Sequence, residues 1–179
     1  VEALVKEATS IESNPNIAAY DYWRLGAELV REKAATFLGC DRDEVVLTPS
    51  TTVGLNTVGE GLVGSGFMGK GDAVLVTNQE HYGALNTWKY HANTTGVVLD
   101  VVDVPIENVT ADDVLALFEA KFASHAYKVV AISHVLTTTG LKLPLKEISA
   151  LAHAHGAVVV VDGAQAPGGL HVDFHDTGA

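Results

Sequence analysis

The sequence predicts an α/β protein built on a mostly parallel sheet flanked by helices, and three observations carry that expectation. Short apolar runs alternate with amphipathic stretches along most of the chain, the pattern of βαβ units, with no detectable internal repeat. The run Gly156-Ala157-Val158-Val159-Val160-Val161 has no period-two alternation, so both of its faces should be covered, as in a parallel strand between two helix layers. The apolar runs end in clusters of polar residues, and ligands of such sheets sit at the carboxyl ends of the strands.

The elements follow in order. From Ile17 to Leu38 apolar residues recur largely at three- and four-residue steps with charges between them, an amphipathic helix closed by Gly39. The residues before Asn16 read as a lead-in punctuated by Asn14-Pro15. Glu44 to Thr48 reads as a short strand, and Pro49 turns the chain into a helix from about Val53 to Leu62. Asp72 to Thr77 is the next strand, followed by a helix to about His91, a strand over Val97–Val102 and a helix over Ala111–Ala123. Lys128–Ser133 is a buried strand, and Pro144 to His155 a helix with Gly156 as its C-cap. The valine run then ends in Asp162-Gly163-Ala164-Gln165.

Composition narrows the function. The chain has 179 residues, 47% hydrophobic and 18% charged, enough for one domain with a sizeable core. A net charge of -11 with only 11 Lys and Arg argues against a nucleic-acid partner, since phosphate neutralisation needs a basic surface. Cys40 is the only cysteine, so a disulfide framework is excluded and a reducing, cytoplasmic setting is the simplest expectation. No apolar run is long enough to span a membrane. The chain starts at Val1 and stops at Ala179 without an element to finish on, so it is expected to be a piece of a longer protein.

The polar clusters supply the candidate chemistry. Ser50, Thr51 and Thr52 fall at a helix N-terminus, where free N–H groups and the helix dipole favour an anion; an ordinary cap would need one hydroxyl only. Asp162, at the edge of an apolar core, needs a partner to stay ionised, or else serves to cap the turn at Gly163. His81 follows another strand and suits a base, a metal ligand or a stacking platform. Gly64 to Gly71 satisfies G-x-G-x-x-G, but it follows a helix and precedes a strand, the reverse of a phosphate loop, and Gly71 stands where a P-loop needs Ser or Thr. It reads as a helix-to-strand connection. The histidines show no spacing that completes a metal set, so no metal is expected.

Taken together, Ser50-Thr51-Thr52, Glu80-His81, Ser133-His134 with Thr137 to Gly140, and Asp162 to Gln165 resemble, in order and spacing, the pyridoxal-phosphate enzymes of aminotransferase class V. That group includes cysteine desulfurases, isopenicillin N epimerase-like proteins and kynureninases. The likeness covers Asn14 to Ala179, and the lead-in Gly39 to Thr48 is similar to the epimerase-like branch. The resemblance implies the large domain of a fold-type I transferase over 39–179, behind an N-terminal lead-in and helix over 1–38. It implies that Asp162 pairs with the ring nitrogen of the cofactor, that His81 stacks on the ring and assists proton transfer, and that Gln165 donates to its phenolic oxygen. Ser50, Thr51 and Thr52 would hold the phosphate, with Thr138 and Thr139 near the cofactor on a looser match; His134 is equally well a packed strand-end residue. The family's Schiff-base lysine lies downstream of the Asp-x-x-Gln segment, and none of Lys128, Lys142 or Lys146 sits in that context. The implied function is an amino-acid enzyme acting by transamination, epimerisation or C–S bond cleavage, a homodimer in the cytoplasm, with this portion inactive alone. A non-catalytic module and a nucleotide-binding α/β domain stay open as alternatives.

Overall fold

The computed structural model describes residues 1–16, 20 and 25–179. It divides into two compact units, Val1–Leu47 and Thr48–Ala179.

In the first unit, helix α1 (Glu2–Ser13) buries none of its residues, and it occupies the stretch that the sequence suggests is only a lead-in. Helix α2 (Ala27–Leu38) ends at Gly39, whose left-handed φ of 68° lets the chain reverse. The expected helix start falls on residues 17–19 and 21–24, outside the described residues. The expected strand at Glu44 to Thr48 does not form. A 3₁₀ turn, Arg42–Glu44, takes its beginning, closed by a capping box between Asp41 and Glu44. Arg31 of α2 then holds the backbone, Nε donating to the Val45 carbonyl at 2.6 Å and Nη2 to that of Arg42 at 2.9 Å. With these carbonyls bonded to a side chain, no strand among the described residues pairs here, and Val46 stays 80% exposed.

The second unit holds the sheet. Helix α3 (Thr51–Gly64) leads to β1 (Ala73–Thr77), α4 (Tyr82–Thr95), β2 (Val98–Val102), α5 (Ala111–Ser124), β3 (Val129–Ser133), α6 (Leu145–Ala154), β4 (Val158–Asp162) and a short α7 (Phe174–Thr177). All pairings are parallel and the strand order is β2-β1-β3-β4. The strands are covered from both sides. Leu75, Val130 and Ile132 pack with Val114, Phe118 and Phe122 of α5 and Ile148 of α6 on one face. Val74, Val76, Val129 and Ala131 pack with Trp88 of α4 and Met68 on the other. Fully burying a side chain of the size of Phe118 stabilises by about 1.5–3 kcal/mol.

β1 and β3 are buried throughout, as parallel central strands should be. The four valines of β4 are only half-buried, contrary to the expectation of full cover, because β4 is an edge strand of the described sheet. The Gly64 to Gly71 stretch is a helix-to-strand connection, as read from the sequence: Asp72 accepts from the Gly69 N–H at 2.8 Å, and Lys128 bridges to Asp72 and to the Phe67 carbonyl.

Helices α3 and α4 pack closely through Gly59, where an added Cβ would meet Thr87 Cγ2 at 2.3 Å. Gly59→Ala is expected to lower unfolding free energy by about 1–3 kcal/mol through overpacking. Gly61→Ala, whose Cβ meets nothing within 4 Å, is expected to raise it by about 0.5–1 kcal/mol through helix propensity. Urea denaturation of the two variants side by side checks both.

Candidate active site

The strand order fixes where a site can form. The chain winds from β1 outward to β2, then returns past β1 to β3 and β4, so the connections leave the ends of β1 and β3 in opposite directions. A crevice opens at that reversal. A cavity of about 250 Å³ lies there, lined by Ser50, Thr51, Thr52, His81, Ser133 and Asp162 together with Gln165 and Thr137. Six residues singled out in the sequence for the phosphate, the ring and its nitrogen therefore share one cavity: Ser50, Thr51, Thr52, His81, Asp162 and Gln165.

Ser50 caps α3, its side chain accepting the Val53 N–H at 3.3 Å and its carbonyl the Gly54 N–H at 3.1 Å. The first turn of a helix leaves amides such as those of Thr51 and Thr52 without intrahelical acceptors, and both threonines are exposed. Such an arrangement suits an anion. His81 caps α4 in the same way. Its Nδ1 accepts the Gly83 N–H at 3.0 Å, so the proton of the neutral ring sits on Nε2. The two caps approach each other at Gly83, where a Cβ would stand 2.7 Å from Thr52 Oγ1 and 3.2 Å from His81 Nδ1.

Asp162 ends β4 in register with Ser133 of β3, and both side chains fall on the α4 face of the sheet. Asp162 is 7% exposed, and its Oδ1 accepts the Ala164 N–H at 2.9 Å. Among the described residues no cation pairs with it. A buried carboxylate with one oxygen left over and a cavity in front of it suits a cationic or N–H group on a ligand.

Other sequence candidates lie elsewhere. Thr138 is exposed and does not line the cavity; Thr137 stands there instead. The turn through Gly140, with φ of 71°, sends Thr139 back onto the end of β1, its hydroxyl donating to Gln79 Oε1 at 2.8 Å. His134 is buried on the opposite face of the sheet, where desolvation and the charge of Lys142 push its imidazole below the usual range. Lys146 pairs with Asp176. Among the described residues no group of three His, Cys, Asp or Glu is placed to hold a metal ion.

The sequence places Glu80 and Ser133 in the strand-end clusters without giving either a role, and it does not single out Gly83. Glu80 bridges the two central strands, accepting from Thr77 Oγ1 at 2.6 Å and from Ser133 Oγ at 2.5 Å. Burial raises its carboxyl above the usual glutamate range, partly offset by those two hydroxyls. Its position beside His81 was the available signal, but nothing local in the sequence pairs it with Ser133.

Known proteins with similar chains share this architecture. The chain is 33% identical over 155 residues to a probable cysteine desulfurase of Halalkalibacterium halodurans, covering 86% of this chain and 37% of that protein. It is 36% identical over 141 residues to a cysteine desulfurase of Klebsiella pneumoniae, covering 78% of this chain and 33% of that protein. Among solved structures, a C-DES mutant with glycine covalently linked to its PLP cofactor superposes with a TM-score of 0.84 at 28% identity, covering 97% of this chain and 45% of the other. An apo cysteine desulfurase from Thermococcus onnurineus superposes with a TM-score of 0.76 at 30% identity, covering 86% of this chain and 36% of the other. The chain thus spans about a third of the length of the curated relatives it matches. The aminotransferase class V family model matches residues 1–179, and the chain belongs to that family.

Proposed function

We propose that this chain forms the cofactor-binding part of a pyridoxal-phosphate enzyme that cleaves a C–S bond of a sulfur-containing amino acid. The observation that carries the cofactor reading is the Asp162 carboxyl, buried with no cation paired to it among the described residues and lining the same cavity as the N-terminus of α3. One ligand with a basic ring nitrogen at one end and a phosphate at the other satisfies both. The C–S reading within the family draws on the desulfurase relatives and on C-DES, described as a cystine C–S lyase.

When bound, pyridoxal phosphate supplies an electron sink for charge developing at the substrate α-carbon. The chain's own residues bind and orient. The Thr51 and Thr52 amides and hydroxyls would hold the phosphate, with the positive end of α3 behind them. Asp162 would keep a proton on the ring nitrogen, an interaction that a low-dielectric setting strengthens. His81 would lie against the ring; its Nδ1 is committed to Gly83, which leaves Nε2 to carry or release a proton toward the cavity. Gln165 would donate to the phenolic oxygen. Cys40 follows the C-cap of α2 in the first unit; no role as a sulfur acceptor is assigned to it.

The whole protein would be a cytoplasmic homodimer acting on a small amino acid. Among the described residues no helix is long and apolar enough to cross a membrane. The apolar side chains left exposed at Leu29, Val30 and Phe37 of α2 suit a partner surface.

Two outcomes are expected. In the full natural protein that carries this chain, Asp162→Asn should still bind pyridoxal phosphate but lose about 10²–10³-fold in kcat; ATP should not compete for the site. Steady-state kinetics and equilibrium binding check this, and an ATP isotherm with no response to pyridoxal phosphate would reverse the reading. Gly83→Ala should weaken cofactor affinity about tenfold by moving Thr52 and His81, at a cost in stability of about 1–3 kcal/mol. Fluorescence titration and urea denaturation of that variant measure the two effects.

A further inference from the structure

Glu80 takes no part in the contacts assigned above, yet its carboxyl joins the two strands between which the site opens. Oε1 accepts from Thr77 at the end of β1, and Oε2 from Ser133 at the end of β3. Glu80 does not line the main cavity. It faces a small void beside it, shared with Asp162, Trp88, Ala131 and Val160. Ser133, by contrast, lines the main cavity on the same sheet face as Asp162.

We propose that Glu80 is a positioning residue for the cofactor cavity, and that its proton decides whether the Ser133 hydroxyl donates to Glu80 or into the cavity. This rests on the pyridoxal-phosphate reading of the cavity. A serine hydroxyl has one proton. While Glu80 is ionised, that proton is committed to Oε2 and the cavity sees only oxygen lone pairs. Once Glu80 is protonated on Oε2, that O–H donates to the Ser133 oxygen and the Ser133 proton is released toward the cavity, while Oε1 goes on accepting from Thr77. The proton moves between solvent and Oε; no other bond changes.

Electrostatics favour the same arrangement. The titratable group that shares a void with Glu80 is Asp162 from β4, and among the described residues no Lys or Arg pairs with Glu80. Burial raises its carboxyl above the ordinary range. An anionic ligand oxygen in the cavity rewards the state in which Ser133 donates, so cofactor binding should draw a proton onto Glu80.

The test uses the full natural protein with pyridoxal phosphate as probe. Glu80→Ala removes the group that aims the Ser133 hydroxyl and is expected to weaken cofactor affinity about tenfold, the worth of a hydrogen bond to a charged group. Glu80→Gln, which imitates the protonated acid by donating to Ser133 and accepting from Thr77, is expected to bind within about twofold of wild type with a flatter pH dependence. Ser133→Ala should weaken binding about fivefold, and combining it with Glu80→Ala should add little, because the two act as one unit. If Glu80→Ala does not fold, Glu80→Asp, shorter by one methylene, takes its place.

A second readout needs no cofactor. A carboxyl raised in the folded state holds a proton that the unfolded chain releases above about pH 4.3. Its stabilising contribution is therefore complete below that value and is lost as pH rises through the folded value. Urea midpoints measured against pH should show this decline in wild type relative to Glu80→Gln. Full affinity in Glu80→Ala, weak binding in Glu80→Gln, additive losses with Ser133→Ala, or parallel stability profiles would each overturn the proposal. A wild-type protein that binds no pyridoxal phosphate would overturn the cofactor reading, and the proposal with it.

Discussion

The reversal of winding between β1 and β3 is the constraint on which the rest depends. A strand order of β2-β1-β3-β4 places α4 over one face of the sheet and α5 and α6 over the other. Right-handed crossovers impose that placement once the chain changes direction across the sheet. The N-termini of α3 and α4 then meet over the reversal on one face, and Ser133 and Asp162, in register and on that face, complete the floor. The cavity is a product of topology before any side chain is chosen.

The side chains then give the cavity two opposite demands. The first turn of α3 offers amides and hydroxyls at the positive pole of a helix. Asp162 is a buried carboxyl whose Oδ1 accepts the Ala164 N–H. Each is unfavourable to leave unanswered, and a ligand spanning both relieves both. The caps also set atoms within the site: Gly83 N–H fixes which nitrogen of His81 carries the proton. Local helix capping and site chemistry are here the same hydrogen bonds.

Much of this was legible in the chain because its signals are local. Alternating apolar runs and amphipathic stretches mark β1, β3, β4 and the helices between them, and the hydroxyls at Ser50 to Thr52 mark the start of α3. Legibility failed where a contact is long-range. Val45 to Leu47 look like a strand, but Arg31 claims the backbone carbonyl that a strand would need. Thr137 and Thr138 are alike in sequence, and only the folded backbone shows that Thr137 is the one lining the cavity. The valine run looked fully covered because periodicity reports apolar character, not whether a neighbouring strand is present. Glu80 met its partner Ser133 across 53 residues, beyond any local pattern.

The proposed function turns on Asp162 keeping a proton on the ring nitrogen of a bound pyridoxal phosphate. The most direct measurement is the ¹⁵N NMR spectrum of cofactor labelled at that nitrogen, bound to the full natural protein and followed against pH. The expected result is a ring nitrogen that stays protonated well above the pH at which the free cofactor loses its proton, and that ceases to do so in Asp162→Asn. A bound nitrogen that titrates like the free cofactor in both proteins would contradict it.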